Sequence, residues 1–448
     1  MIRVRRALLS VLLVTAGRTA SAHSIAAPTT AVVGAPDTAT TTKFDVNGVS
    51  VILRRNTATE VVAANLYLLG GTRQLTPATA GIEALLLAAS ERGTRRFPGA
   101  AVRQRTARLG STIGIEAGDD WSAIGLHAIR ATFDSTWAIL ADRIMAPTLD
   151  ANEFTLVRDQ FLTIAREKNT QPDDAATQLA DSLLYVNHPN AVSPTGTPES
   201  IAAITVAQLK QYHSQQFVTS RMLLVVVGNV DRAQVERLVR ATLATMPRGT
   251  YKWTAPLAVT ITGRSLAIDN RALPTNYLLG YAPGPAATDL DYAALRVATA
   301  VLSGRLFTEV RSRRNLSYAV EAPFLERGHA VGGLYVTTVD PNQVLRIMRR
   351  ELTTLQNETV DPVGLKRLEQ QFITEYYLKN ETNADQANAL ARAELYQNDY
   401  RSADRFMEGL RRVTPDDVRR VARRYLKDFR FAYVGDATKL DRSLLNQF

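Results

Sequence analysis

The chain has 448 residues, of which 46% are hydrophobic and 21% charged, and it contains no cysteine. This length buries two cores of ordinary size, so a large soluble protein of two or three domains is expected. The missing cysteines exclude disulfides, thiolate metal ligands and a cysteine-borne lipid anchor.

Residues 1–22 carry the marks of a secretory signal. Arg3, Arg5 and Arg6 form a basic start, Ala7 to Val14 an apolar run too short to span a bilayer, and Ala20-Ser21-Ala22 a cleavage site. No later apolar run is long enough for a membrane span, so the expected location is an exported compartment, a bacterial periplasm. Removing the signal takes away four arginines and no acid, which lowers the formal net charge from +10 to +6. Export argues against nucleic acid as a partner. Residues 23–42, rich in Ala, Thr and Pro, are expected to be a disordered leader.

Order is expected from about residue 43, with strands at Val49–Leu53 and Val61–Leu69. Ile82, Leu85, Leu86 and Ala89 then make the apolar stripe of a core helix. Arginines are dense from Arg92 to Arg108 and again from Arg411 to Arg424, where Arg419, Arg420, Arg423 and Arg424 share a helical face. Asp361 and Pro362 mark the start of a helix running to Lys379.

The chain also repeats itself. Asn65-Leu66-Tyr67-Leu68-Leu69-Gly70 returns as Asn276-Tyr277-Leu278-Leu279-Gly280. Ile204-Thr205-Val206 followed by Leu224-Val225-Val226-Val227-Gly228-Asn229 returns as Val413-Thr414-Pro415 followed by Phe431-Ala432-Tyr433-Val434-Gly435-Asp436. Two echoes in the same order indicate two copies of one domain. The expected fold class is therefore α+β, with two homologous domains of mixed sheet and helices. They span 43–247 and 265–448, joined by a polar linker at 248–264.

The stretch from Gly304 to Val320 concentrates unusual features. Leu306 and Val310 stand four apart in an expected helix with cations at its C-terminal end, following a turn at Ser303-Gly304. Asn315 is the expected stop. Leu316, Tyr318 and Val320 then alternate with Ser317 and Ala319 as a strand would. On residue chemistry alone, Arg311 is a solvated partner of the helix dipole and Tyr318 a half-buried strand tyrosine.

This stretch resembles the C-terminal-domain signature of the metallopeptidase family that includes insulinase, pitrilysin and the processing peptidases. Thr195-Gly196-Thr197-Pro198-Glu199-Ser200-Ile201, leading into Val225-Val226-Val227-Gly228-Asn229, resembles the N-terminal domain of its processing-peptidase branch, and the likeness covers residues 43–448. The resemblance implies half of a clamshell-like chamber in which Arg311 and Tyr318 grip a substrate backbone. Asn315 and Ser317 stand where the family usually has Gly and Ala.

The resemblance also locates what is missing. The family carries H-x-x-E-H on the helix after its second strand, two histidines for zinc and a glutamate for the bound water. Matched on Gly81, this chain has Ala84 and Ala88 for the histidines and Leu87 for the glutamate, and the distal ligand falls among Thr163, Ile164 and Ala165. Its five histidines (His23, His127, His188, His213 and His329) include no i, i+4 pair, and there is no G-x-S-x-G nucleophile elbow. Leu109 to Ile115 resembles the family's edge strand, which pairs with extended substrate and here implies contacts at Gly110, Thr112 and Gly114. A plain sheet edge with a bulging glycine is the bland alternative.

The expected function follows from what is kept and what is lost. The chain is expected to be the zinc-less subunit of a heterodimeric metallopeptidase, binding no cofactor itself. Its expected partners are a homologous zinc-binding subunit and unfolded peptide substrate, and it has no integral membrane segment. The alternative is a purely structural or peptide-binding pseudopeptidase.

Overall fold

The computed structural model describes residues 41–260 and 262–448. The expected signal and all but the last two residues of the expected leader lie outside them. Thr41 and Thr42 open the first strand instead of closing the leader. Thr41 is buried, and its hydroxyl accepts a 2.8 Å hydrogen bond from Arg54 Nε.

Six strands, β1 (Thr41–Val46), β2 (Val49–Arg55), β3 (Val61–Leu69), β4 (Thr112–Ala117), β5 (Trp121–Ile129) and β6 (Met222–Gly228), form the first sheet in the order β1-β2-β6-β3-β5-β4. The second contains β7 (Ser265–Asn270), β8 (Asn276–Ala286), β9 (Val320–Glu321), β10 (Phe324–Leu325), β11 (His329–Thr338) and β12 (Arg430–Gly435), in the order β10-β11-β8-β12-β7 with β9 beside β11. β2 runs parallel to β6, β6 antiparallel to β3, β3 to β5 and β5 to β4. The second sheet repeats this pattern as β7, β12, β8, β11 and β10. The fold class is thus α+β with two mixed sheets of matching topology.

Local sequence explains both the strands and their covering helices. β6 and β12 are buried at every position, as continuous apolar strands between two covered faces must be. In β3 the residues alternate: Val62, Ala64, Leu66 and Leu68 face the core formed with the Ile82–Ala89 helix, while Tyr67 and Leu69 face the other way. The echoed helices Val206–Gln216 and Pro415–Tyr425 open with capping boxes at Thr205 and Thr414. The Pro362–Lys379 helix has the expected bounds, with the Asp361 side chain accepting from the amides of Val363 and Gly364.

Each sheet borrows a helix from the far side of the chain. Ala387, Leu390, Ala391 and Leu395 of the Asn383–Gln397 helix pack on Tyr67, Leu223, Val225 and Val227 of the first sheet. Ala176, Ala180 and Leu184 of the Pro172–Leu184 helix pack on Leu279, Tyr281, Ala432 and Val434 of the second. Residues 247–260, an irregular stretch that includes most of the expected linker, are anchored by Trp253, whose indole donates to the Leu395 carbonyl at 3.0 Å.

Candidate functional site

The Asp291–Leu306 helix buries Leu295, Ala298, Leu302 and Leu306 along one stripe, and runs through Ser303 and Gly304 without the expected turn. It then widens into a single π turn over Phe307–Ser312. Such turns insert one residue into the helical ladder and are common at functional sites. Val310 is fully buried and pins the turn. Asn315, at φ 51°, ends it in the left-handed region, which a short polar side chain tolerates.

Residues 316–319 are irregular, and strand structure begins only at Val320. The segment is nevertheless held to β11. The Thr337 amide donates to the Ala319 carbonyl at 3.0 Å, and the Thr338 hydroxyl to the Leu316 carbonyl at 2.8 Å. Ser317 is buried and donates to Ala319, so the next residue is turned outward.

The result brings Arg311 and Tyr318 together. The guanidinium carbon lies 4.3 Å from the Tyr318 ring centroid and 5.0 Å from that of Phe307. Tyr318 is 68% exposed and Phe307 45%, so neither ring is core packing. Among the described residues Arg311 forms no ion pair and the Tyr318 hydroxyl has no hydrogen-bond partner.

The neighbouring charges explain why Arg311 is left free. Glu309 is buried and pairs with Arg313, with Arg314 at 2.6 Å and with Arg350 at 2.9 Å. The Arg314 hydrogen bond holds its carboxyl below the usual range. The Glu309 carboxylate, two residues before Arg311, is therefore taken. Phe307 and Glu309 were missed in the sequence reading. Their signals are an aromatic residue four positions before Arg311 and a lone acid between arginines.

The helix that would carry a metal site offers none. Ala84 and Leu87 are buried, and Leu85, Leu86 and Leu87 belong to the first core, against which Ala88 and Ala165 also pack. Thr163 and Ile164 point outward. Among the described residues no three His, Cys, Asp or Glu side chains are grouped to hold a metal ion. Hydrocarbon side chains supply no donor atoms, so these residues do not fit zinc. Glu83, beside them, is committed elsewhere: it accepts from Tyr212 Oη and Arg221 Nη2, both at 2.9 Å. Burial together with the Glu83 charge raises the Tyr212 hydroxyl well above its ordinary range.

The signature Thr195–Ile201 has a packing role at this place. Gly196 sits against Gly81, where any Cβ would come within 2.9 Å of backbone, and Ser200 donates to the Ala80 carbonyl. The two segments therefore fix the start of the Ile82–Ala89 helix.

Gly110, Thr112 and Gly114 lie apart from the Arg311 turn in the chain. Leu109 to Ser111 is a helix-ending turn, with Gly110 at φ +62° and its amide bonded to Ala107, so strand structure begins at Thr112 and not at Leu109. β4 pairs with β5 on one side in unbroken register, without a bulge at Gly114, and its other edge is unpaired among the described residues. Nothing lies within 4 Å of a Cβ built on Gly114.

Comparison with known proteins agrees with this architecture. The peptidase M16 inactive domain matches residues 203–399. An uncharacterized zinc protease of Streptomyces coelicolor is 25% identical over 79% of this chain and 80% of its own, and one of Bacillus subtilis, YmxG, is 20% identical over 87% and 96%. A peptidase M16 inactive domain from Pseudomonas fluorescens superposes with a TM-score of 0.80 at 20% identity, covering 89% of this chain and 98% of that one. The periplasmic protease PqqL of Escherichia coli matches at TM-score 0.75 and 16% identity, over 91% of this chain but only 49% of PqqL. Residues 203–399 thus match the peptidase M16 inactive domain, and the two mixed sheets of matching topology give the chain the fold of these peptidase M16 neighbours.

Proposed function

We propose that this chain is the zinc-less subunit of a two-chain metallopeptidase. A homologous subunit holds the metal, and this one supplies Arg311 and Tyr318. The observation that carries the reading is the Arg311–Tyr318 contact, with the tyrosine exposed, the arginine in no ion pair among the described residues, and the pair built on a π turn. It gains support from PqqL, a protease of which this chain spans about half, so that a second chain would complete a molecule of that size. We take residues 43–247 and 265–448 as its two domains and an exported compartment as its location, in keeping with the periplasmic neighbour.

Within such a chamber the chain's own residues perform polar work. The Tyr318 hydroxyl donates a hydrogen bond to the substrate carbonyl as negative charge develops on its oxygen. The Arg311 guanidinium, in contact with two rings, donates to peptide carbonyls and fixes the backbone in register. β4 offers its free edge to an extended peptide near Thr112 and Gly114.

The test is peptide hydrolysis and bound zinc, measured for this chain alone and with a co-expressed H-x-x-E-H homologue. Activity is expected only in the mixture and metal only in the homologue. Tyr318→Phe should cut turnover of the assembled pair about 100- to 1,000-fold and leave assembly unchanged. Unaltered turnover, or stoichiometric zinc and activity in this chain alone, would sink the reading.

A further inference from the structure

The two arginine clusters differ in how the fold treats them. In the segment 411–424 the charges are answered from within. Arg411 meets Glu369 at 3.3 Å, Arg419 meets Asp416 at 2.8 Å, and Arg420 and Arg424 share Asp291 at 2.6 and 3.2 Å. Arg423 donates to the Gln356 carbonyl. Between Arg92 and Glu116 the sequence has six arginines and no acid. Only Arg92 forms an ion pair among the described residues, at 3.9 Å from Glu153. Arg96 and Arg105, both exposed, have their guanidinium carbons 5.6 and 5.3 Å from the centroid of the buried Phe97 ring. Arg95 and Arg108 are exposed, and Arg103 Nη1 is buried without a hydrogen-bond partner.

This unanswered charge adjoins the open edge of the first sheet. The Ala101–Arg108 helix packs against β4, and Ile113 of that strand rests on the Phe97–Val102–Ile139 cluster. The short turn 109–111, closed by bonds from Leu109, Gly110 and Ser111 back to residues 105–107, joins Arg108 to Thr112. A peptide paired along β4 would run one of its ends past these guanidiniums.

We propose that β4 and this arginine patch form one binding surface for an extended acidic peptide, paired by its backbone with the strand and carrying carboxylates at the end that passes the Ala101–Arg108 helix. Charge complementarity chooses the occupant, because the patch has an excess of cations that the fold leaves unmatched. The proposal rests on the peptide-binding reading above and adds the substrate's charge.

Binding is measured by fluorescence anisotropy with the full chain alone and short unstructured peptides sharing a neutral core. They carry glutamate, serine or lysine at one end, in both polarities. At about 50 mM salt the glutamate peptide should bind at least about tenfold more tightly than the others, a preference that fades near 0.5 M (roughly, where screening is complete). Arg105→Ser with Arg108→Ser should erase the preference, Arg105→Lys with Arg108→Lys should keep it, and Arg412→Ser in the answered cluster should leave it intact. Methylating alternate backbone amides of the glutamate peptide should abolish binding. Equal affinity for all three peptides, a serine variant that behaves as wild type, or full binding of the methylated peptide would each overturn the proposal. Because the assay needs no zinc-bearing partner, a failure of hydrolysis in the assembled pair leaves it standing, and loss of the acidic preference does not touch the role of Tyr318.

Discussion

The helix after β3 and the helix after β8 hold corresponding places in the two sheets, and they have been filled in opposite ways. Ile82–Ala89 is buried nearly throughout, and its only acid, Glu83, is consumed by Tyr212 and Arg221. Asp291–Leu306 buries one stripe and then opens into a turn beside which Phe307 and Tyr318 are exposed, with Arg311 half-buried against their rings. A helix that serves only packing can give up every polar atom, whereas one that serves a ligand keeps groups the core does not need. The contrast between the two helices is what the proposed role of Arg311 and Tyr318 rests on.

Substitutions at three positions probe the contrast, beginning with the largest expected effect. Leu87→Glu returns a carboxylate to the first helix at a fully buried site. It should destabilise the chain by about 3–5 kcal/mol in denaturant unfolding, because the charge has no partner there. Normal stability with acquired zinc would mean that the helix still fits a metal. Next, Asn315 closes the displayed turn with positive φ. Asn315→Ala should cost about 1 kcal/mol, whereas Asn315→Gly should cost nothing, since glycine adopts that conformation freely. Equal losses for both would show that the asparagine side chain, not backbone shape, holds the turn.

The smallest effect concerns the histidines of the first half. His213 is half-buried, with Nε2 2.7 Å from the Ile144 carbonyl, and its desolvation lowers its pKa below the ordinary 6.5. A base with a depressed folded pKa stabilises the native state above its unfolded pKa and loses that contribution as pH falls through the folded value. The melting temperature should therefore decline as pH drops below 6.5, and His213→Gln should flatten that decline. An unchanged pH profile would mean the imidazole is not a structural residue of this core.

Much of this was legible because it depends on short-range pattern. The repeated Leu-Leu-Gly and Val-Gly-Asx segments mark β3, β6, β8 and β12, whose burial follows from continuous apolar runs. The absence of imidazoles from the Ile82–Ala89 helix is visible by inspection. The π turn was not legible, since it depends on which carbonyl each amide chooses, and the helical pattern through Ser303-Gly304 conceals where the ladder widens. Nor was the Glu309 hub, because Arg350 joins it from a helix 41 residues away in sequence. The exchange of covering helices lay beyond local pattern altogether. The small apolar residues Ala387, Leu390 and Ala391 mark a buried stripe without saying which sheet it meets.

That exchange also constrains how the chain is made. Tyr67 hydrogen-bonds Asn388 across 321 residues, and the face of β6 bearing Leu223, Val225 and Val227 waits for the same helix. A ribosome delivers the first sheet before its cover, so one apolar face stays uncovered while the residues between Gly228 and Asn383 are made. The reverse partner, Pro172–Leu184, is made before the sheet it will cover. Closure of such distant contacts is slow, and neither half can complete its core until the other has emerged. A chain stopped between the halves would therefore be a single fragment whose first sheet keeps the face of Tyr67, Leu223, Val225 and Val227 uncovered.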